Sequence, residues 1–162
     1  MTCLRHPISR IKSSVKFHKR QTTDIIMKWA SSDTFVDSAP ISNGSPSVDN
    51  FYVRSLAGRE VYRKPLGTIS STDREQALSA LRLFEVILIV EDLNNHLLQL
   101  KEILGFQKLE LQHAKSSGIK RADFSKEQIA TLTRVNAQDV LLYEEGKLLA
   151  SGIMARVRRA MS

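Results

Sequence analysis

Residues 2–15, TCLRHPISRIKSSV, decide how the rest of the chain is read. Thr2, Cys3 and Leu4 have the character of a short buried strand that ends at Arg5. Pro7 suits the first turn of a helix, where its missing N–H costs nothing. Ile8, Ile11 and Val15 then recur at helical spacing and are expected to face a core. Arg10 and Ser13 fall on the opposite face, with Ser9 beside them. In open parallel sheets ligands bind beyond the carboxyl ends of the strands, and Arg5 stands at such an edge. The helix start adds backbone N–H groups and a partial positive charge that favour phosphate. A guanidinium fork matches phosphate oxygens, and Ser13 adds a hydroxyl. The turn therefore predicts a phosphate site; the plainer alternative is a solvated surface arginine.

Outward from this turn the chain alternates between structure and breakers. Residues 31–50, SSDTFVDSAPISNGSPSVDN, read as an irregular loop rich in Ser, Asp, Pro, Gly and Asn. NFYVRSLAG (50–58) predicts a short helical turn ended by Gly58, and residues 59–70 a connector broken by Pro65 and Gly67. Thr72 with Glu75 is a plausible capping box for a helix over 73–83. The apolar run Val86 to Val90 has the length and β-branched content of a fully buried parallel strand. Asp92 is expected to cap the next helix, with Leu93, Leu97, Leu100 and Leu104 on one face and Gly105 as its stop. Residues 112–123 are polar and loop-like. Ser125 and Gln128 form another capping box, opening a long helix to about residue 150 with a break near Gly146.

The 162 residues, 42% of them hydrophobic, suit one modest α/β domain or a large piece of one. Only two strands are credible, and an isolated parallel pair is a poor sheet, so the expectation is part of a larger α/β domain. No run approaches the roughly 18–20 apolar residues of a membrane span, and the basic start lacks the apolar core of a signal peptide. The single Cys3 excludes an intramolecular disulfide and a cysteine metal cluster. The net charge of +7 is uneven: seven basic residues, from Arg5 to Lys28, face only Asp24 in the first 28 positions. Arg156, Arg158 and Arg159 close the chain as a basic tail, residues 151–162. Such charge implies a phosphate-bearing or polyanionic partner.

LRHPISRIKSSVKF resembles the 3′-phosphate-binding motif of sulfotransferases that use 3′-phosphoadenosine 5′-phosphosulfate (PAPS), an Arg-Asp-Pro-x-x-Arg-x-x-Ser pattern at a strand-to-helix turn. Arg5, Pro7, Arg10 and Ser13 occupy the matching positions, and His6 replaces the usual aspartate, a weaker N-cap. DNFYVRSLAG is similar to the Asn-x-x-x-Arg-x-Leu-x-Gly segment of membrane-associated carbohydrate sulfotransferases. ALSALRLFEVILIVEDLNNHLLQLKEILGF resembles their next helix–strand–helix unit. LTRVNAQDVLLYEEGKLL resembles their C-terminal helix, with Asn136, Asp139, Leu142 and Tyr143 in the pattern.

The resemblance spans residues 2–150 and implies the C-terminal part of a P-loop-like sulfotransferase domain, mostly helical with a short parallel strand pair. It implies sulfuryl transfer from PAPS to a carbohydrate hydroxyl, with Arg5 and Ser13 holding the 3′-phosphate and Arg10 bracing the helix. Lys120 and Arg121 are candidate basic contacts to the same cofactor. No metal is implied. Family members carry a Golgi membrane anchor upstream, and a Gly/Lys-rich loop for the 5′-phosphosulfate. No Gly-x-x-x-x-Gly-Lys-Ser/Thr run occurs here, so this chain alone is expected to be catalytically incomplete, and no catalytic base is assigned. His18 and His113 are read as solvent-exposed. Glu91 and Asp92 point to opposite faces of a strand, which argues against an acid–base pair. Asn136, Asp139 and Tyr143 share a helical stripe suited to packing and hydrogen bonding, and Trp29 and Phe35 to core or loop packing. The rival readings are a small basic RNA- or glycan-binding protein without catalysis, and an inactive truncated product. The basic charge does not itself call for nucleic acid.

Overall fold

Thr2–Leu4 and Ile87–Ile89 are the apolar runs around which the helices gather. In the computed structural model, residues 1–17, 22–31, 45–108 and 124–162 are described. The order is β1 (Thr2–Leu4), α1 (Pro7–Phe17), α2 (Thr23–Ser31), a 3-10 turn (Ser45–Val48), α3 (Phe51–Leu56), α4 (Arg59–Tyr62) and α5 (Ser71–Leu81). There follow β2 (Ile87–Ile89), a 3-10 turn (Val90–Asp92), α6 (Leu93–Leu104), α7 (Lys126–Val135) and α8 (Ala137–Met161). β1 and β2 pair in parallel, Thr2 opposite Ile87 and Leu4 opposite Ile89. Ile87, Leu88 and Ile89 are all buried, so both faces of β2 are covered. The class is mixed α/β, mostly helical with a two-stranded parallel sheet.

One core joins Leu4, Ile87 and Ile89 to Val53, Leu78, Leu81 and, from α8, Leu142, Ala150 and Ile153. A second joins Ile8 and Ile11 of α1 to Ile26, Val48, Phe124 and Leu132. The expected inward face of α1 is thus observed, with Val15 half-buried against it. Gly146 lets α8 pass close beneath β1: a Cβ there would lie 2.5 Å from Leu4 Cδ1.

Several boundaries differ from the sequence expectations. α5 is opened by Ser70 and Asp73, not by Thr72 and Glu75. Ser70 Oγ accepts the Asp73 N–H at 3.3 Å and Asp73 Oδ2 accepts the Ser70 N–H at 2.9 Å. Lys64 Nζ, 2.7 Å from Asp73, holds that carboxylate in place. The Ser125–Gln128 box is present as expected. The break in the last helical stretch falls at Asn136, not Gly146, because the Asn136 side chain is committed to the backbone of Val48 and Leu132. Beyond it α8 runs unbroken to Met161, so residues 151–161 are helix and bury Ile153, Met154 and Val157; they are not a separate tail.

α6 does not bury the Leu93–Leu97–Leu100–Leu104 face. His96 and Gln99 are its buried residues, and Leu104 is exposed. The cause lies in β2. Ile87 N–H donates to Gln99 Oε1 at 3.0 Å, and Gln99 Nε2 donates to Ile87 O at 3.1 Å. A side-chain amide here occupies the place of a third strand, and it satisfies backbone groups that burial would otherwise strand. Asp92 takes the N-cap position of α6 without a capping hydrogen bond; it accepts instead from Asn95 Nδ2 at 2.6 Å.

Residues 45–50 also depart from the irregular loop expected for 31–50. Val48, Asp49 and Asn50 are buried. Arg54, fully buried, donates from Nε to Asp49 O, pairs with Asp49 Oδ2 at 2.5 Å, and reaches the carbonyls of Tyr62, Lys64 and Pro65. A buried guanidinium survives only with its donors met, and five acceptors meet them. This pins the bend between α3 and α5. Asn50, at φ 49°, donates its N–H to Asn136 Oδ1 and accepts the Asp139 N–H on its own Oδ1. Asp139 in turn accepts the N–H groups of Tyr52 and Val53 at 3.0 and 2.8 Å. A carboxylate from α8 therefore caps the start of α3.

Candidate functional site at the carboxyl edge of the sheet

The parallel pair puts the ends of β1 and β2 side by side, with Arg5 and His6 leaving one and Glu91 the other. Arg5 N–H donates to Tyr52 Oη at 3.0 Å, and His6 N–H donates to Glu91 Oε1 at 3.0 Å. Tyr143 Oη donates to Glu91 Oε2, also at 3.0 Å. The His6 and Tyr143 rings meet edge-on, 5.5 Å apart. Burial and the neighbouring Glu91 carboxylate both push the Tyr143 phenol well above its ordinary value, so it remains a donor. The strand-to-helix turn is thus clamped from α3, the 3-10 turn after β2, and α8 together.

Glu91 is the residue that sequence reasoning undervalued. α1 has no acid in its first turn, and His6 stands just before it. Glu91 supplies the missing negative charge from across the sheet, at the positive end of the helix. The His6 N–H at the helix start is thereby taken by a carboxylate. The available signal was Glu91 directly after the apolar run 86–90, but its partner His6 lies 85 residues away.

What remains for an anion is Arg5. Its Nε lies 3.9 Å from Glu91 Oε1, too far for a hydrogen bond, and is buried without a partner. Its side chain is 39% exposed, and no hydrogen bond to its terminal nitrogens occurs among the described residues. The guanidinium is therefore oriented by Glu91 on one side, with its fork unpaired on the other. Ser13 is half-buried in α1, and its hydroxyl has no hydrogen-bond partner among the described residues. It sits six residues beyond Pro7, about 9 Å along the helix axis, and no hydrogen bond joins it to Arg5.

Arg10 does not face open solvent. Its guanidinium lies 4.5 Å from the Phe51 ring centroid and 5.6 Å from that of Tyr52, and Nη2 donates to Ser47 O. Burial lowers its pKa, while Asp139 and Tyr52 oppose that shift. Arg10 braces α1 against α3 and the preceding 3-10 turn. Asn136, Asp139 and Tyr143 have the packing and hydrogen-bonding roles expected of their stripe. Trp29 is half-buried against the second core. Lys120 and Arg121 lie outside the described residues, as do His18, His113 and Phe35. Among the described residues no three His, Cys, Asp or Glu side chains stand together as metal ligands, and no helix is long and apolar enough to cross a membrane. Comparisons with protein-family models, with curated proteins and with solved structures found no match to this chain.

Proposed function

We propose that this chain carries the 3′-phosphate-binding part of a PAPS-dependent carbohydrate sulfotransferase of the membrane-associated Golgi type. The observation that carries the reading is the unpaired Arg5 fork at the carboxyl edge of a parallel strand pair, within a motif whose Pro7, Arg10 and Ser13 also match. Arg5 is the group suited to hold the 3′-phosphate bidentately, and Ser13 adds a hydroxyl farther along α1. Glu91 and Tyr52 fix the turn so that the fork is presented without reorganisation. The nucleotide, when bound, supplies the sulfuryl group that passes to a glycan hydroxyl. Stabilising charge on that group requires preorganised donors, which the missing Gly/Lys-rich run would provide. Lys120 and Arg121 remain candidate contacts.

Calorimetric titration of adenosine 3′,5′-bisphosphate into wild type and Arg5→Ala tests the reading. Binding by wild type and its loss in Arg5→Ala are expected; equal affinities would remove Arg5 from the site. Sulfate transfer by this chain alone is expected to be undetectable, and a measurable rate would overturn the view that it holds only part of the machinery. A second reading draws on Arg156, Arg158 and Arg159, all exposed on the last turns of α8. RNA binding with a steep salt dependence, and no nucleotide binding, would favour a basic binding module instead.

A further inference from the structure

A groove of about 310 Å³ lies between the start of α6 and the second half of α8, lined by Asp92, Asn95, His96, Ser151, Met154 and Arg158 among others. Its volume is at the low end for small-molecule sites. The chemistry of His96 there is fixed by a chain of hydrogen bonds. Gln99 cannot flip, because its Oε1 accepts from Ile87 N–H and its Nε2 donates to Ile87 O. The same Nε2 lies 3.0 Å from His96 Nδ1. An amide NH2 only donates, so Nδ1 is the acceptor and the imidazole proton sits on Nε2. Burial lowers the His96 pKa below its ordinary value and so favours the neutral ring, while Asp92 opposes that shift.

Among the described residues His96 Nε2–H has no hydrogen bond; Asp92 Oδ2 lies 3.7 Å from it. Ser151 and Arg158 have no polar partner among the described residues, and Asp92 is not used as a helix cap. Asp92 Oδ1 already accepts from Asn95 Nδ2 at 2.6 Å, so the groove offers His96 Nε2–H and Arg158 as donors, Asp92 Oδ2 as an acceptor, and Ser151 and the remainder of the Asn95 amide as groups of both kinds. An anion would meet Asp92 and a cation would meet Arg158, while His96 adds no charge. Hydroxyl groups, each able to donate and accept, suit such a set, and Met154 offers an apolar surface to carbon-bound hydrogens.

We propose that this groove is a binding site for one unit of an uncharged saccharide, held through its hydroxyls by Asp92, Asn95, His96 Nε2–H, Ser151 and Arg158. The site involves neither Arg5 nor Ser13, so it stands or falls independently of the nucleotide reading.

The test uses the whole chain labelled with 15N-histidine at pH 7, titrated separately with glucose, galactose, mannose, inorganic phosphate and glycine. The free protein is expected to show the Nε2–H tautomer at His96. At least one hexose should shift that resonance saturably with a millimolar Kd, and phosphate and glycine should not. Asp92→Asn and Ser151→Ala, both at exposed positions, should each weaken the hexose by about tenfold with unchanged thermal midpoints. An Nδ1–H tautomer, silence with all three hexoses, binding unchanged in both variants, or an equal response to phosphate or glycine would each overturn the proposal.

Discussion

Asp139→Asn is expected to abolish a specific pH dependence of stability. Asp139 is completely buried, and burial is the largest influence on it, pushing its pKa from 3.8 up to about 6. The Tyr52 and Val53 N–H groups and Arg10 pull the other way, and Asp49 adds to the rise. An acid whose folded pKa exceeds its unfolded one binds its proton more tightly when folded. Stability from this group is therefore present at low pH and is lost as pH rises from about 4 through 6. The gap of about two pH units corresponds to roughly 3 kcal/mol. Two other groups titrate nearby. His96, held below 6.5, loses stability as pH falls. Asp73 is raised by burial but held below 3.8 by Lys64 and Ser70, and it loses stability at still lower pH. Both persist in the variant and cancel in the difference. The assay is urea unfolding of both proteins between pH 4 and pH 8, plotted as wild type minus variant. That difference should fall by about 3 kcal/mol across the window. A flat difference, or one that rises with pH, would refute the reasoning: the helix-start N–H groups and Arg10 would then dominate burial.

The clamp at the carboxyl edge can be tested by a double-mutant cycle of Glu91→Ala and Tyr143→Phe. Glu91 is partly exposed, so its loss should cost about 1–2 kcal/mol in denaturant unfolding, less than buried charged bonds would give, with a coupling of about 0.5–1.5 kcal/mol to Tyr143. Strict additivity would remove the link between α8 and the Arg5–His6 turn. The two glycines of α8 should separate cleanly in thermal unfolding. Gly152→Ala meets nothing within 4 Å and should stabilise by about 1 kcal/mol through helix propensity. Gly146→Ala should lose that gain against Leu4, with overpacking costing about 1–3 kcal/mol. Equal gains at both would show that β1 yields freely.

Local patterns were enough for much of the chain. The apolar run before Glu91, Pro7 at the start of a helix, Ser125 with Gln128, and Gly105 as a helix stop each act within a few residues, and each is observed where expected. The parallel pairing and the placing of Arg5 at its edge also followed from composition and order. The tertiary structure decided what depends on a distant partner. Glu91 becomes the acid of α1 only because the two strands pair. Gln99 outranks the leucine stripe of α6 because the edge of β2 needs a donor and an acceptor at one point. Asn50, unremarkable in a polar stretch, is buried because Asn136 and Asp139 meet it from the start of α8, and Asp49 and Arg54 are buried against each other with the carbonyls of Tyr62, Lys64 and Pro65. Periodicity reports which side chains avoid water. It does not report which polar group elsewhere in the fold will satisfy a buried N–H, whether Gln99 on Ile87 or Glu91 on His6, and it is that satisfaction which sets this protein's turn and strand edge.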